Sequence, residues 1–227
     1  MQYELIGGNT FPILKFQLSQ GESIKAESGA MVGMSTGLTL KGKMDGGVKR
    51  AIGRMFTGES FFMQHIEAEK ADGWTMLATP APGGITPIEL DGSTEWTVQK
   101  NGFLAGTTDV EVTTKMQSLT KGILSGEGFF VIRIGGTGTV FLSSYGVIVP
   151  IDVPEGEKVR IDNGHLVAWQ SEMQYKITKG GSSWFSSVTS GEGFACDFQG
   201  PGRVYIQTRN PNDFGFWLAP FIPFPKG

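Results

Sequence analysis

Three glutamates recur in one local setting. Thr57-Gly58-Glu59-Ser60-Phe61-Phe62 returns as Ser125-Gly126-Glu127-Gly128-Phe129-Phe130 and as Ser190-Gly191-Glu192-Gly193-Phe194-Ala195, the glutamates lying 68 and then 65 residues apart. Three carboxylates drawn together could offer oxygen ligands to a hard cation such as Ca²⁺, which would have to offset their mutual repulsion. A plainer role is open to each of them, because a carboxylate beside glycine can accept backbone N–H bonds in a tight turn. The turn role is favoured, so Gly58, Glu59, Gly126, Glu127, Gly191 and Glu192 are expected to be structural, and no metal or cofactor is expected. His65 and His165 have no serine, cysteine or carboxylate fixed near them by spacing, which leaves acid–base and nucleophilic catalysis without a constellation. Cys196 aligns with Met63 and Val131 of the other two copies, a slot open to apolar side chains, and reads as core rather than as a reactive thiol. Gly135-Gly136-Thr137-Gly138 lacks the lysine and the following helix of a phosphate loop and reads as a hairpin turn. No catalytic residue is assigned, and a non-enzymatic role is expected.

Two stretches could bind without doing chemistry. Lys41, Lys43, Lys49, Arg50 and Arg54 set five cations against Asp45 in an otherwise acidic chain. Such a loop could meet phosphates of RNA or of anionic lipid. Against that, the matching stretches near Ser118 to Ser125 and Gly180 to Ser190 carry one lysine and none, and Phe56 is the only aromatic platform in reach. A solvated loop is favoured, with nucleic-acid binding as the alternative. The stretch from Phe214 to Pro225 is uncharged and rich in Phe and Pro. It is too short to span a bilayer and too apolar to stay bare in water. Phe216, Trp217, Phe221 and Phe224 are therefore candidates for an oligomer contact, with peripheral membrane contact as the alternative.

The elements that must position these residues are short and repeated. The chain has 227 residues, 39% of them hydrophobic, with 16 Phe and 5 Trp, enough for a real core. Its 34 glycines follow no collagen period, and a net charge of −3 with 18% charged residues excludes a chain kept unfolded by charge. One cysteine excludes an intrachain disulfide framework, and the amino-terminal residues lack the basic and apolar regions of a secretory signal, so a cytoplasmic location is expected. Upstream of the Gly-Glu stretches, Gly21-Glu22-Ser23-Ile24-Lys25-Ala26-Glu27-Ser28-Gly29 matches Gly156-Glu157-Lys158-Val159-Arg160-Ile161-Asp162-Asn163-Gly164, and Gly92 to Ala105 is the same element with two extra residues. Downstream stand paired apolar runs, the second of them at Trp74–Leu77, Val140–Ser143 and Val204–Gln207. Pro87 and Pro150 precede matching strand-like runs. Three elements in one order, three times, predict an all-β fold of three hairpin-bearing repeats, at about 3–80, 81–146 and 147–213, with an aromatic, proline-rich tail at 214–227. Each repeat is too small to bury its own apolar face, so a single domain over 1–227 is expected, with β-sandwich-like sheets packed around a pseudo-threefold axis.

The thrice-used Gly-Glu-x-Phe signature, the run Glu27-Ser28-Gly29-Ala30-Met31-Val32 and the glycine-rich basic stretch ending Arg54-Met55-Phe56-Thr57-Gly58-Glu59 resemble the altered inheritance of mitochondria twenty-four family over nearly the whole chain. That resemblance implies an all-β fold like that of the tryptophan RNA-binding attenuation protein, and assembly into oligomers, trimers being favoured. It implies little chemistry, because likeness of fold to an RNA-binding protein does not transfer function. The expected role is an oligomeric β scaffold or binding platform for an unknown protein or small-molecule partner.

Overall fold

The structure is a computed structural model and describes residues 1–8, 10–43, 63–116, 130–179 and 194–223. Eighteen strands make up about 60% of the described chain and nearly all of its regular secondary structure. The first stretch holds β1 (Gln2–Ile6), β2 (Ile13–Leu18), β3 (Ser23–Glu27), β4 (Met31–Met34), β5 (Thr39–Lys43), β6 (Met63–Glu67) and β7 (Gly73–Leu77). The second holds β8 (Ile85–Asp91), β9 (Trp96–Gln99), β10 (Phe103–Thr107), β11 (Val110–Met116) and β12 (Phe130–Ser143). The third holds β13 (Ile148–Val153), β14 (Lys158–Asp162), β15 (Leu166–Gln170), β16 (Gln174–Lys179), β17 (Phe194–Gln199) and β18 (Gly202–Gln207), followed by helix α1 (Pro211–Leu218). No helix among the described residues is long and apolar enough to cross a membrane.

Alternation writes these strands. In β2, Leu14, Phe16 and Leu18 are fully buried while Lys15 and Gln17 point the other way, as the two-residue period of a strand requires. The ladders between named strands are antiparallel and follow one arrangement in all three stretches. β7 lies between β2 and β4, the second half of β12 between β8 and β10, and β18 between β13 and β15. Likewise β6 lies between β3 and β5, the first half of β12 between β9 and β11, and β17 between β14 and β16. Each of β4, β10 and β15 carries a register shift at one corresponding place, between Met31 and Gly33, Phe103 and Ala105, and Leu166 and Ala168. Ladders also join the stretches: β10 pairs β3 through Ala105 and Ala26, and β15 pairs β9 through Ala168 and Val98. The protein is all-β and forms one domain, with three apolar clusters that each draw on more than one stretch, one holding Phe16 and Phe141, one Phe103 and Ile132, and one Trp169 and Phe198.

The registers revise three details of the sequence reading. Cys196 stands opposite Ile161, whereas Ile132 stands opposite Val98 and Gln64 opposite Ala26. Its counterparts are therefore Gln64 and Ile132, one residue beyond Met63 and Val131. Gly135 to Gly138 is not a hairpin turn, because β12 runs unbroken through it from the β9–β11 side to the β8–β10 side. Gly136 and Gly138 have φ of 82° and 110°, a region that admits glycine at little cost, so the strand swings between sheets without losing its ladders. Pro87 and Pro150 lie inside β8 and β13, opposite Phe141 and Tyr205. Both are edge strands, where a residue lacking an N–H leaves no ladder donor missing.

Candidate functional site

The strand registers bring a set of polar residues from all three stretches to one end of the molecule. Glu27 closes β3, Gln99 closes β9 and Asp162 closes β14. Beyond the ends of β7, β12 and β18 come Thr79, Ser144 with Tyr145, and then Asn210 at the start of α1. Between these ends lies a cleft of about 360 Å³ whose lining includes Glu27, Thr79, Gln99, Asn101, Tyr145, Asn163, Gln207, Asn210 and Asn212.

Hydrogen bonds fix its walls. Gln99 Nε2 donates to the backbone oxygen and to Oδ1 of Asn163, each at 3.0 Å. Gln207 clamps two stretches together, donating from Nε2 to Gly164 O and accepting at Oε1 from Tyr145 N, both at 2.8 Å. Its own carbonyl faces His165 Nδ1 at 2.8 Å, so His165 is a strut of the wall. Asn210 Oδ1 accepts from Asn212 N at 3.0 Å and caps α1, with Pro211 at its first position. The Asn210 amide also fills the space over Gly164, where a Cβ would lie 2.3 Å from Asn210 Nδ2. Tyr145 forms an aromatic wall with Phe214 of α1, their ring centroids 5.6 Å apart. Sequence spacing singles out none of the six carboxamides in this lining. The available signal was a polar residue, Glu27, Gln99 or Asp162, at one place in each copy of the upstream element.

The residues singled out by spacing fall in several places. Gly58, Glu59, Gly126, Glu127, Gly191 and Glu192 lie outside the described residues, as do Lys49, Arg50, Arg54 and Phe224. Yet the strands bounding the three Gly-Glu stretches are described. Lys43 pairs Met63, which faces Glu27; Met116 pairs Phe130, next to Val131 facing Gln99; Lys179 pairs Phe194, next to Ala195 facing Asp162. The described residues that flank the three Gly-Glu stretches thus lie level with Glu27, Gln99 and Asp162. Lys41 lies in β5, where its Nζ pairs with Glu67 at 2.8 Å and also with Glu69. Donating hydrogen bonds to these two carboxylates raises the pKa of Lys41, and Lys41 in turn lowers that of Glu69, so this cation is already engaged. Lys43 closes β5. Phe216, Trp217 and Phe221 are exposed on and just after α1, at 76%, 63% and 68%.

Cys196 is fully buried, and burial, with Asp197 and Asp162 adding to it, pushes the thiol up to about 12. At neutral pH it is protonated and shielded, the opposite of a nucleophile's setting. In native buffer, a disulfide thiol reagent is expected to label it no faster than the protein unfolds, and at once in denaturant. Labelling of the folded protein within seconds would contradict this placement.

The sequence profile of the family described as mitochondrial biogenesis AIM24 matches residues 3–209. The chain belongs to the AIM24 family. It is also 32% identical over 231 residues to an uncharacterized protein of Streptococcus pyogenes, an alignment covering 98% of this chain and 92% of that one. The crystal structure of a Streptococcus pyogenes protein superposes with a TM-score of 0.82 at 31% identity, covering 97% of this chain and 99% of that one. The AIM24 match spans all eighteen strands apart from the first residue of β1, and ends just before α1. Asn210, Asn212 and the aromatic residues that follow lie outside it.

Proposed function

We propose that this protein is a non-enzymatic β platform that assembles as a homo-oligomer, with a trimer favoured, and binds its partner at the cleft end. In this reading the three stretches form a rigid frame whose strand ends and connecting turns present the binding surface at the cleft. The observation that carries the reading is the shared level of the residues flanking the three Gly-Glu stretches with Glu27, Gln99 and Asp162. Support for assembly comes from Phe216, Trp217 and Phe221, whose exposed rings a subunit contact would remove from water. A cytoplasmic setting suits a chain whose lone cysteine is kept as a buried thiol.

The test is sedimentation equilibrium on the full chain. A mass three times the 24.5 kDa of the chain is expected, falling toward one chain when Phe216, Trp217 and Phe221 are all replaced by serine. A full chain that sediments as a monomer refutes assembly. The same exposed rings give a second reading, peripheral membrane contact, which predicts that neutral vesicles float the wild-type chain and not the triple variant. Nucleic-acid binding draws less support, because Lys41 of the basic stretch is paired to Glu67 and Glu69.

A further inference from the structure

We propose that β4 of one chain pairs antiparallel with β14 of a second copy, so that subunits join head to tail through the same kind of ladder that joins the stretches inside each chain. This rests on the reading of the protein as a homo-oligomer and names the contact.

The chain contains such a junction twice. β10 of the second stretch pairs β3 of the first, with Ala105 opposite Ala26 and Gly106 opposite Lys25. β15 of the third pairs β9 of the second, with Ala168 opposite Val98 and Trp169 opposite Thr97. In the arrangement the stretches share, β4 corresponds to β10 and β15, and β14 to β3 and β9. A third junction would therefore pair β4 with β14, placing Gly33 opposite Ile161 and Met34 opposite Arg160. It is not formed within the chain. β4 ends the four-stranded sheet and β14 ends the three-stranded one, and both strands are described in full. One edge of each kind is left open, and a second copy supplies the complement of either, continuing an interface the chain already holds.

The side chains at the open edges fit a missing neighbour. Leu104 of β10 is fully buried in the cluster that holds Phe16 of the first stretch, and Val167 of β15 is buried in the cluster that holds Ile132 of the second. Each packs into the stretch that its strand pairs with. Val32 holds the same place in β4, at the register shift, yet it is 56% exposed. By the same rule its socket is the Trp169–Phe198 cluster of a third stretch in another chain. The receiving edge has the matching deficit. Ile24 of β3 and Trp96 of β9 are buried, whereas Val159, their counterpart in β14, is only partly covered.

Free strand edges invite pairing unless something blunts them. β8 and β13 carry Pro87 and Pro150, and β5 carries Lys41 and Lys43. Met31-Val32-Gly33-Met34 has neither proline nor charge. Because β4 and β14 are different surfaces, the contact is heterologous, and a series of such contacts closes into a ring when the rotation between chains allows it. A ring of three chains is the trimer proposed above.

The experiment uses full chains mixed in pairs. Met34→Cys and Arg160→Cys are introduced separately, at positions that the register places opposite each other, where Cβ atoms about 4.5–5.5 Å apart come close to the span of a disulfide. Mild oxidation of the mixture is expected to give a covalent dimer holding one chain of each kind. Either variant alone, and the wild type with its buried Cys196, should stay uncross-linked. Self-cross-linking of a single variant would show a two-fold edge contact and overturn the proposal. So would a chain carrying both cysteines that forms its disulfide internally, because the third junction would then close within the chain. Val32→Glu changes an exposed side chain and is expected to keep the far-ultraviolet circular dichroism of the wild type. It should weaken association at least about tenfold, since it sets a charge against the neighbour's apolar cluster; unaltered association overturns the proposal. If the wild type assembles by sedimentation and the mixed chains do not cross-link, this contact is refuted and the assembly reading stands. If the wild type is a monomer, both fall.

Discussion

Replacing Trp169 with alanine is expected to produce the largest loss of stability of any single core truncation in the third stretch. Trp169 is fully buried and lies in β15, opposite Val204 on one side and Thr97 on the other. Its ring meets Tyr175 at 5.2 Å and Phe198 at 5.5 Å, both edge-on, while Tyr175 and Phe198 stack on each other at 5.5 Å. Removing the indole empties the centre of that triad, and the flanking ladders hold the backbone so that the space cannot collapse. Burial lost plus a residual cavity costs about 3–5 kcal/mol for Trp→Ala in a packed core. In a chain of this size each kcal/mol moves the melting temperature about 2–4 °C, so differential scanning calorimetry should show a fall of about 6–20 °C. Trp169→Phe, which keeps an aromatic ring in the triad, should recover a substantial part of it. A melting temperature within about 1 °C of wild type for the alanine variant would show that the triad does not bear the packing assigned to it.

Why the all-β fold could be read from the sequence while the cleft could not follows from how each is encoded. A strand announces itself locally: Leu14, Phe16 and Leu18 alternate with Lys15 and Gln17, and any six residues suffice to see it. The recurring Gly-Glu stretches and the upstream element are visible for the same reason, because each is written within a few consecutive residues. The cleft has no such local sign. Gln99 meets Asn163 and Tyr145 meets Gln207 across 64 and 62 residues, and a carboxamide has no spacing rule to mark it as it would a metal ligand. Two local signals could have been used. Asn210 followed by Pro211 is a helix start, with a capping amide and a first-turn proline, overshadowed in the sequence by the later prolines that end the helix. Gly136 and Gly138 were legible as glycines with a backbone duty but not as a crossing, because a tight turn and a swing between sheets ask for the same residues.

The joint between the first two stretches yields the other large effect, and it separates the space around a glycine from its conformational freedom. Gly83→Ala is expected to destabilise the protein by about 2–3 kcal/mol, at the upper end for overpacking, whereas Gly37→Ala should leave stability unchanged or slightly raised. A Cβ on Gly83 would stand 1.7 Å from the carbonyl oxygen of Ser144, a backbone atom that cannot turn aside, while one on Gly37 meets nothing within 4 Å. The backbone at Gly83 is tied on both flanks. Gly146 N donates to Pro82 O at 3.0 Å, Gly84 N donates to Gly146 O at 2.7 Å, and Ser144 N donates to Gly84 O at 3.2 Å. To admit a methyl group, the segment carrying Ser144 and Tyr145 must move away, and both of these residues line the cleft. Gly83→Ala should therefore shift the cleft wall at Ser144 and Tyr145 at temperatures where the variant is still fully folded, a coupling that Trp169→Ala, acting in another cluster, should not show. Calorimetric melting checks the first effect and the backbone amide chemical shifts of Ser144 and Tyr145 in the folded variant check the second. Equal melting temperatures for the Gly83 and Gly37 variants would mean that the Gly83–Gly146 bridge yields freely, and the cleft wall could not then be the rigid frame described above.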